Sequence, residues 1–232
     1  MFRRVFFLAL ALAFVATAAH ASQTDEPQGG SETNEMGYIV SIGLAPLFFD
    51  QEQFNDEIEA LDIGTLPFAA AGQLSFGRDV GQGPHFFRAI NTFTTNNQVS
   101  HHKGDSADLS FWYFDIAFGW RYQATSWFSF HADAGFAFGN WKYVVIDESF
   151  NGQAAGRLLG FTPRAGLLFR ALPTLAFDLH GGYTGFFSER GEYYSGDMSR
   201  NEYDDFDFNH AYVGLNFVFL VESRFDKRRG HN

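Results

Sequence analysis

Cysteine is absent from the 232 residues, which excludes disulfides, thiolate nucleophiles and Cys-ligated zinc. Lysine is scarce, at positions 103, 142 and 227. With 16 Lys plus Arg against 27 Asp plus Glu, the formal net charge is −11. A nucleic-acid partner is therefore excluded, since phosphate binding needs clustered basic side chains. Beyond Met36 no apolar run approaches the roughly 18 residues of a transmembrane helix. Aromatic residues are abundant: 30 Phe, 9 Tyr and 4 Trp. That much apolar surface is incompatible with a disordered chain.

The N-terminus has the layout of a secretory signal. Arg3 and Arg4 form a positive start, Val5 to Ala16 is an apolar run, and Ala19-His20-Ala21 supplies small residues before a cleavage point at Ser22. Residues 1–21 contain two Arg and no acid, so the mature chain carries −13. Residues 22–36 (SQTDEPQGGSETNEM) read as a flexible periplasmic leader, with nothing to form a core.

From Gly37 the chain alternates apolar with polar or small residues at period two, the pattern of strands with two unlike faces. Eight segments show it: 37–49, 63–78, 84–97, 108–122, 126–146, 156–170, 174–189 and 205–220. In the fourth, Trp112, Phe114, Ile116, Phe118, Trp120 and Tyr122 share one face, opposite Tyr113, Asp115, Ala117, Gly119 and Arg121. The third is the least regular, because Arg88 and Asn91 fall on opposite faces. Connections after the second, fourth and sixth segments are short (79–83, 123–125, 171–173). Those after the first, third, fifth and seventh are longer and polar (50–62, 98–107, 147–155, 190–204). An even strand count with short turns at one end and long loops at the other predicts an all-β fold, an eight-stranded antiparallel up-and-down transmembrane barrel over residues 37–220.

A soluble barrel also alternates, with its apolar side inward. A water-facing exterior needs Lys, Glu and Thr, whereas the polar face here is Gly, Ala and Ser punctuated by Arg, Asp and His. That composition suits a tight lumen, and the apolar face then meets lipid. Trp112, Trp120, Tyr122 and Trp127 supply an interfacial girdle. With its signal, eight alternating segments and an aromatic-ended last segment, the chain resembles the small outer-membrane barrels of the OmpA, OmpX and OmpW kind. The resemblance implies an outer-membrane location in a Gram-negative-type bacterium and delivery by the barrel-assembly machinery, with outer-membrane lipid and lipopolysaccharide as neighbours. Such proteins usually end on a C-terminal Phe. Here Phe219 has that place but residues 221–232, a short basic periplasmic tail, follow, with Phe225 on the same parity.

The candidate site is a lumenal charge set: Asp115, Arg121, His131, Asp133, Arg164, Arg170, Asp178 and His180. Cross-strand reach suggests pairing Arg121 with Asp133 and Arg164 with Asp178. An eight-stranded interior is barely wider than its side chains, so these charges form a plug. His131-Ala132-Asp133 and Asp178-Leu179-His180 also have the form of acid/base dyads. Omptin proteases use Asp and His, but on ten strands and at the rim. Lipid A deacylases carry His-x-Ser, and no His here has Ser two residues later. The first long loop holds Asp50, Glu52, Asp56, Glu57, Glu59 and Asp62 without a base, oxygen ligands that suit a divalent cation or a solvated acidic rim. No cofactor is expected. The expected function is non-enzymatic: membrane integrity, or surface contact through acidic loops. A narrow channel is the first alternative, since Gly119, Gly135, Gly139, Gly166, Gly182 and Gly214 line the inner face; a lipid A-modifying enzyme is the second.

Overall fold

A computed structural model describes residues 34–148, 150–188, 191–196 and 207–225. The expected signal, the expected leader as far as residue 33, four acids of the last expected loop (Asp197, Glu202, Asp204 and Asp205) and the expected tail from residue 226 lie outside the described residues. The strands are β1 (Asn34–Phe48), β2 (Ala70–Gln82), β3 (His85–His102), β4 (Asp105–Gln123), β5 (Phe128–Ile146), β6 (Asn151–Leu172), β7 (Leu175–Ser188), β8 (Gly191–Gly196) and β9 (His210–Phe225), with one helix, α1 (Glu52–Ala60). Eight of the strands run antiparallel to their neighbours from β1 to β7 and on to β9, which pairs back onto β1 and closes the ring. The short strand β8 lies outside the ring, against Gly152–Gly156 of β6.

The stagger of the ring can be followed pair by pair. Gly37 faces Asp79, then Arg88, Gly119, Asp133, Arg164, Gly182 and Tyr212, and the path re-enters β1 at Leu47, ten residues above its start. Eight tilted strands enclose an interior that side chains fill.

The eight expected strands form, with different limits. β2 begins at Ala70 rather than Ile63. Two of the expected loops, 98–107 and 147–155, are largely strand: β3 turns into β4 at Lys103 and Gly104, both at positive φ, and β5 and β6 pair out to Ile146 and Asn151. Outward residues there are polar because they stand above the apolar belt and meet water, so polarity did not mean loop. Only the first and last of the four expected long loops remain long, and the asymmetry of the ends lies as much in strand extension as in loop length. At the other end β9 runs past residue 220 and pairs as far as Phe225 with Asn34, inside the expected leader.

Outside, the belt is apolar. On β5 the outward residues run Phe128, Phe130, Ala132, Ala134, Phe136 and Phe138, then change to Asn140 and Lys142. Large apolar side chains such as Leu44, Phe136 and Phe187 are 66%, 68% and 71% exposed. A surface so apolar on every strand is stable against lipid rather than water. Trp120 stacks on Tyr122 at 5.7 Å and on His85 at 5.6 Å near the short turns. Trp127 is exposed beside them, and Trp112 lies higher on the same outer face against Phe93.

Inside, the half toward the first and last long connections is apolar, and loop residues fill it. Phe54 and Ile58, one turn apart on α1, together with Ile63 and Leu66 beyond it, are buried in the mouth with Leu109, Phe111, Trp141, Tyr143 and Phe208. Phe54 meets Tyr143 edge to face at 5.2 Å, and Trp141 lies 5.4 Å from Phe208. Three successive inward side chains of β3 clasp the segment after α1. Asn96 donates to the carbonyl of Ala70, Gln98 to that of Pro67 and Ser100 to that of Ile63. At Ile63 and Pro67, which lie before β2 begins, side chains take the place of a ladder. Replacing Phe54 by Ala is expected to destabilise the barrel by about 3–5 kcal/mol, measured by unfolding in detergent; an unchanged midpoint would detach α1 from the mouth.

Candidate functional site

Beneath the apolar cap the lumen is polar. The row that traces the stagger carries Asp79, Arg88, Asp133 and Arg164, alternating acid and base across five strands, with Gly119 between the second and third. Inward residues two positions away add Arg121, His131 and His180 on one side and Thr162 on the other, where Thr92 and Asp115 follow four positions away. All of these are buried. Charges taken out of water persist only when paired and hydrogen-bonded.

The pairing differs from that expected. Arg121 reaches Asp79, at 2.6 Å, rather than Asp133, and its guanidinium lies 4.1 Å over the Phe86 ring. Arg164 goes to Asp115 at 3.3 Å and Asp133 at 3.4 Å, and it donates to Thr92 at 2.8 Å. Asp178 turns instead to His131 at 2.7 Å and His180 at 3.4 Å. Arg88 lies 3.8 Å from Asp79 and 3.9 Å from Asp133. Neighbouring strands alone do not predict these contacts, because in a narrow bore long side chains reach across it. Arg170 is half-buried, nearer the short turns.

Asp79 and Arg88 belong to the layer and were not among the expected residues. Asp79 reads as the start of a turn, and Arg88 sits in the least regular segment. Their signal is parity: each shares its strand's inward face, with Ser75 and Gly77 or with Ile90 and Thr92.

The inner glycines make room for this layer. A Cβ on Gly166 would come within 2.4 Å of His131 Nε2, and one on Gly214 within 2.4 Å of His180 Nε2. The space they leave is therefore occupied by imidazoles. A cavity of about 10 Å³, lined by Ser75, Arg88, Thr92, Arg164, Asp178 and Asn216 among others, is the size of one water. The expected dyads are both consumed in this packing: His131 and His180 are 4% and 5% exposed.

The acidic loop is dispersed by α1. Glu52, Asp56 and Glu59 lie on its exposed side, while Phe54 and Ile58 face in. Glu57 is on the same helix. Asp50 accepts the backbone N–H of Glu52, and Asp62, at positive φ, stands 3.8 Å from Lys103. Among the described residues no cluster of three metal-ligating side chains forms. Above the belt, partial burial holds the Asp108 carboxyl above its ordinary range, against the opposing pull of Lys142 and His101.

No protein-family model matches the chain, and no curated protein does. Among solved structures it is similar to Ail, the attachment invasion locus protein of Yersinia pestis, in complex with the heparin analogue sucrose octasulfate. The identity is 12% and the TM-score 0.48, over 81% of this chain and 98% of that one. Neisserial surface protein A gives 10% and 0.42, over 84% and 99%. The outer membrane protease OmpT of Escherichia coli gives 9% and 0.44, over 86% and 99%. At these identities and TM-scores none of their roles carries over. The chain's own closed antiparallel ring and apolar exterior give it the architecture of a small eight-stranded outer-membrane barrel.

Replacing Arg164 by Ala is expected to cost about 3–5 kcal/mol, because it leaves buried carboxylates without their cation. Equilibrium unfolding in detergent measures it, and an unchanged stability would remove Arg164 from the centre of the layer.

Proposed function

We propose that this is a non-conducting, non-enzymatic outer-membrane barrel of a Gram-negative-type bacterium. It works as a rigid wall element and through the surface it raises above the membrane. The observation that carries this reading is the double filling of the lumen: a paired charge layer below and an apolar cap, supplied by α1 and the segment after it, above. A solute path would have to displace both. Of the inner glycines, which favoured a channel on sequence grounds, Gly166 and Gly214 face His131 and His180, Gly119 faces Asp133 and Gly182 faces Tyr212. The Asp and His groups that suggested acid/base chemistry are enclosed within the wall, which supports a structural role for them.

The exterior offers more. β5 and β6 continue past the apolar belt and recruit β8, building a sheet above the membrane on which Arg157 and Glu192 pair at 3.1 Å and Tyr193 is exposed. The outward apolar belt and its Trp120, Tyr122 and Trp127 girdle suit outer-membrane lipid, with lipopolysaccharide as the outer-leaflet neighbour and the barrel-assembly machinery as the route of insertion. Planar-bilayer recording of the refolded mature protein is expected to show no unitary conductance. Steady ionic steps from a demonstrably folded barrel would overturn the sealed-lumen reading and make Arg121 and Arg164 pore residues.

A further inference from the structure

The small cavity inside the charge layer is bordered by side chains whose hydrogen-bonding capacity is not used up. Arg88 of β3, Arg164 of β6, Asp178 of β7 and Asn216 of β9 all line it. Four atoms of these residues, Arg88 Nε and Nη1, Arg164 Nη2 and Asn216 Oδ1, are buried and find no hydrogen-bond partner among the described residues. Arg88, Arg164 and Asn216 are each more than nine-tenths buried. The ion pairs of Arg88, 3.8 Å to Asp79 and 3.9 Å to Asp133, are too long for direct hydrogen bonds. Arg164 directs Nε and Nη1 at Asp133, Asp115 and Thr92, so Nη2 is its remaining donor. Asn216 donates from Nδ2 to Ser41 at 3.4 Å, and its carbonyl oxygen stays an acceptor.

A buried polar group without a partner is costly, and where the space is polar and wide enough a bound water meets the need. We propose that this cavity binds one ordered water as a permanent member of the charge layer, accepting hydrogen bonds from Arg88 and Arg164 and donating to Asn216 and Asp178. The cavity, at about 10 Å³, has room for one such molecule. A water has two lone pairs and two O–H groups, so two guanidinium donors and two oxygen acceptors use it fully. Asp178, already 2.7 Å from His131 Nε2, has lone pairs left to accept another bond. The competing guest is a halide, since guanidiniums also attract anions. Charge decides against it. Among the described residues the lumenal carboxylates Asp79, Asp115, Asp133 and Asp178 are already matched by the guanidiniums of Arg88, Arg121, Arg164 and the half-buried Arg170. An anion would add an unmatched negative charge next to Asp178, in a site where burial makes that expensive.

The water also explains the long ion pairs of Arg88. Polar contacts beyond about 3.5 Å are commonly completed by a bridging water, and here one molecule holds the Arg88 guanidinium between two aspartates without direct contact to either. The test is a crystal structure of the refolded mature protein at a resolution that shows ordered water, from crystals grown with bromide as the only halide and measured at the bromine absorption edge. The expected result is one peak in the cavity, within about 3.2 Å of a guanidinium nitrogen of both Arg88 and Arg164, with no anomalous signal. This readout is independent of whether the lumen conducts, because it records occupancy rather than exchange. A cavity without density, or a peak out of reach of either guanidinium, overturns the proposal. An anomalous peak overturns it too, and makes the cavity a halide site.

Discussion

The narrow bore of an eight-stranded ring is the constraint from which the rest follows. Eight strands with a stagger of ten residues enclose an interior just wide enough for side chains to fill. Every inward residue must find its partner on the barrel wall itself or in a loop that enters the mouth. The molecule meets this demand with two chemistries stacked along one axis. Where the wall supplies Asp, Arg and His, charges neutralise one another and glycines opposite them provide the volume. Where it supplies Leu, Phe, Trp and Tyr, loop residues complete an apolar core.

Between the two lies a thin polar seam. The hydroxyl of Tyr113 is 3.2 Å from His210 Nε2 and 3.3 Å from Thr184 Oγ1, and His210 Nδ1 donates to the carbonyl of Phe208 at 2.8 Å. Because Nδ1 donates, Nε2 accepts and the Tyr113 hydroxyl is the donor. The seam thus ties Phe208, at the foot of the last long loop, to the wall just above the charge layer. Cap and wall are thus joined by hydrogen bonds at this level.

Much of this was legible in the sequence, because the two faces of each strand have opposite solvents. Lipid outside and a crowded lumen inside leave a period-two signature that survives even at Arg88, where the outward partners Phe87 and Ala89 remain apolar or small. What was not legible has two physical causes. Above the belt both faces can be polar or mixed, so Gln98 to Ala107 looked like loop while pairing as strand. In the first connection, Phe54, Ile58, Ile63 and Leu66 are separated by acids, and their common destination exists only once a barrel mouth is there to receive them. The pairing partners in the lumen were hidden for the same reason: Arg121 and Asp79 lie two strands apart, and only the closed geometry brings them to 2.6 Å.

The central claim is that the lumen is sealed between these layers. Since the chain has no cysteine, a single Ala137→Cys variant reports on it directly. Ala137 is 2% exposed on the inner wall, opposite Asp115 and beneath the cap. A membrane-impermeant thiol reagent should leave the folded barrel unlabelled from both sides and label it fully in denaturant. Rapid labelling of the folded protein would mean that water and solutes reach the middle of the lumen, contradicting the sealed barrel.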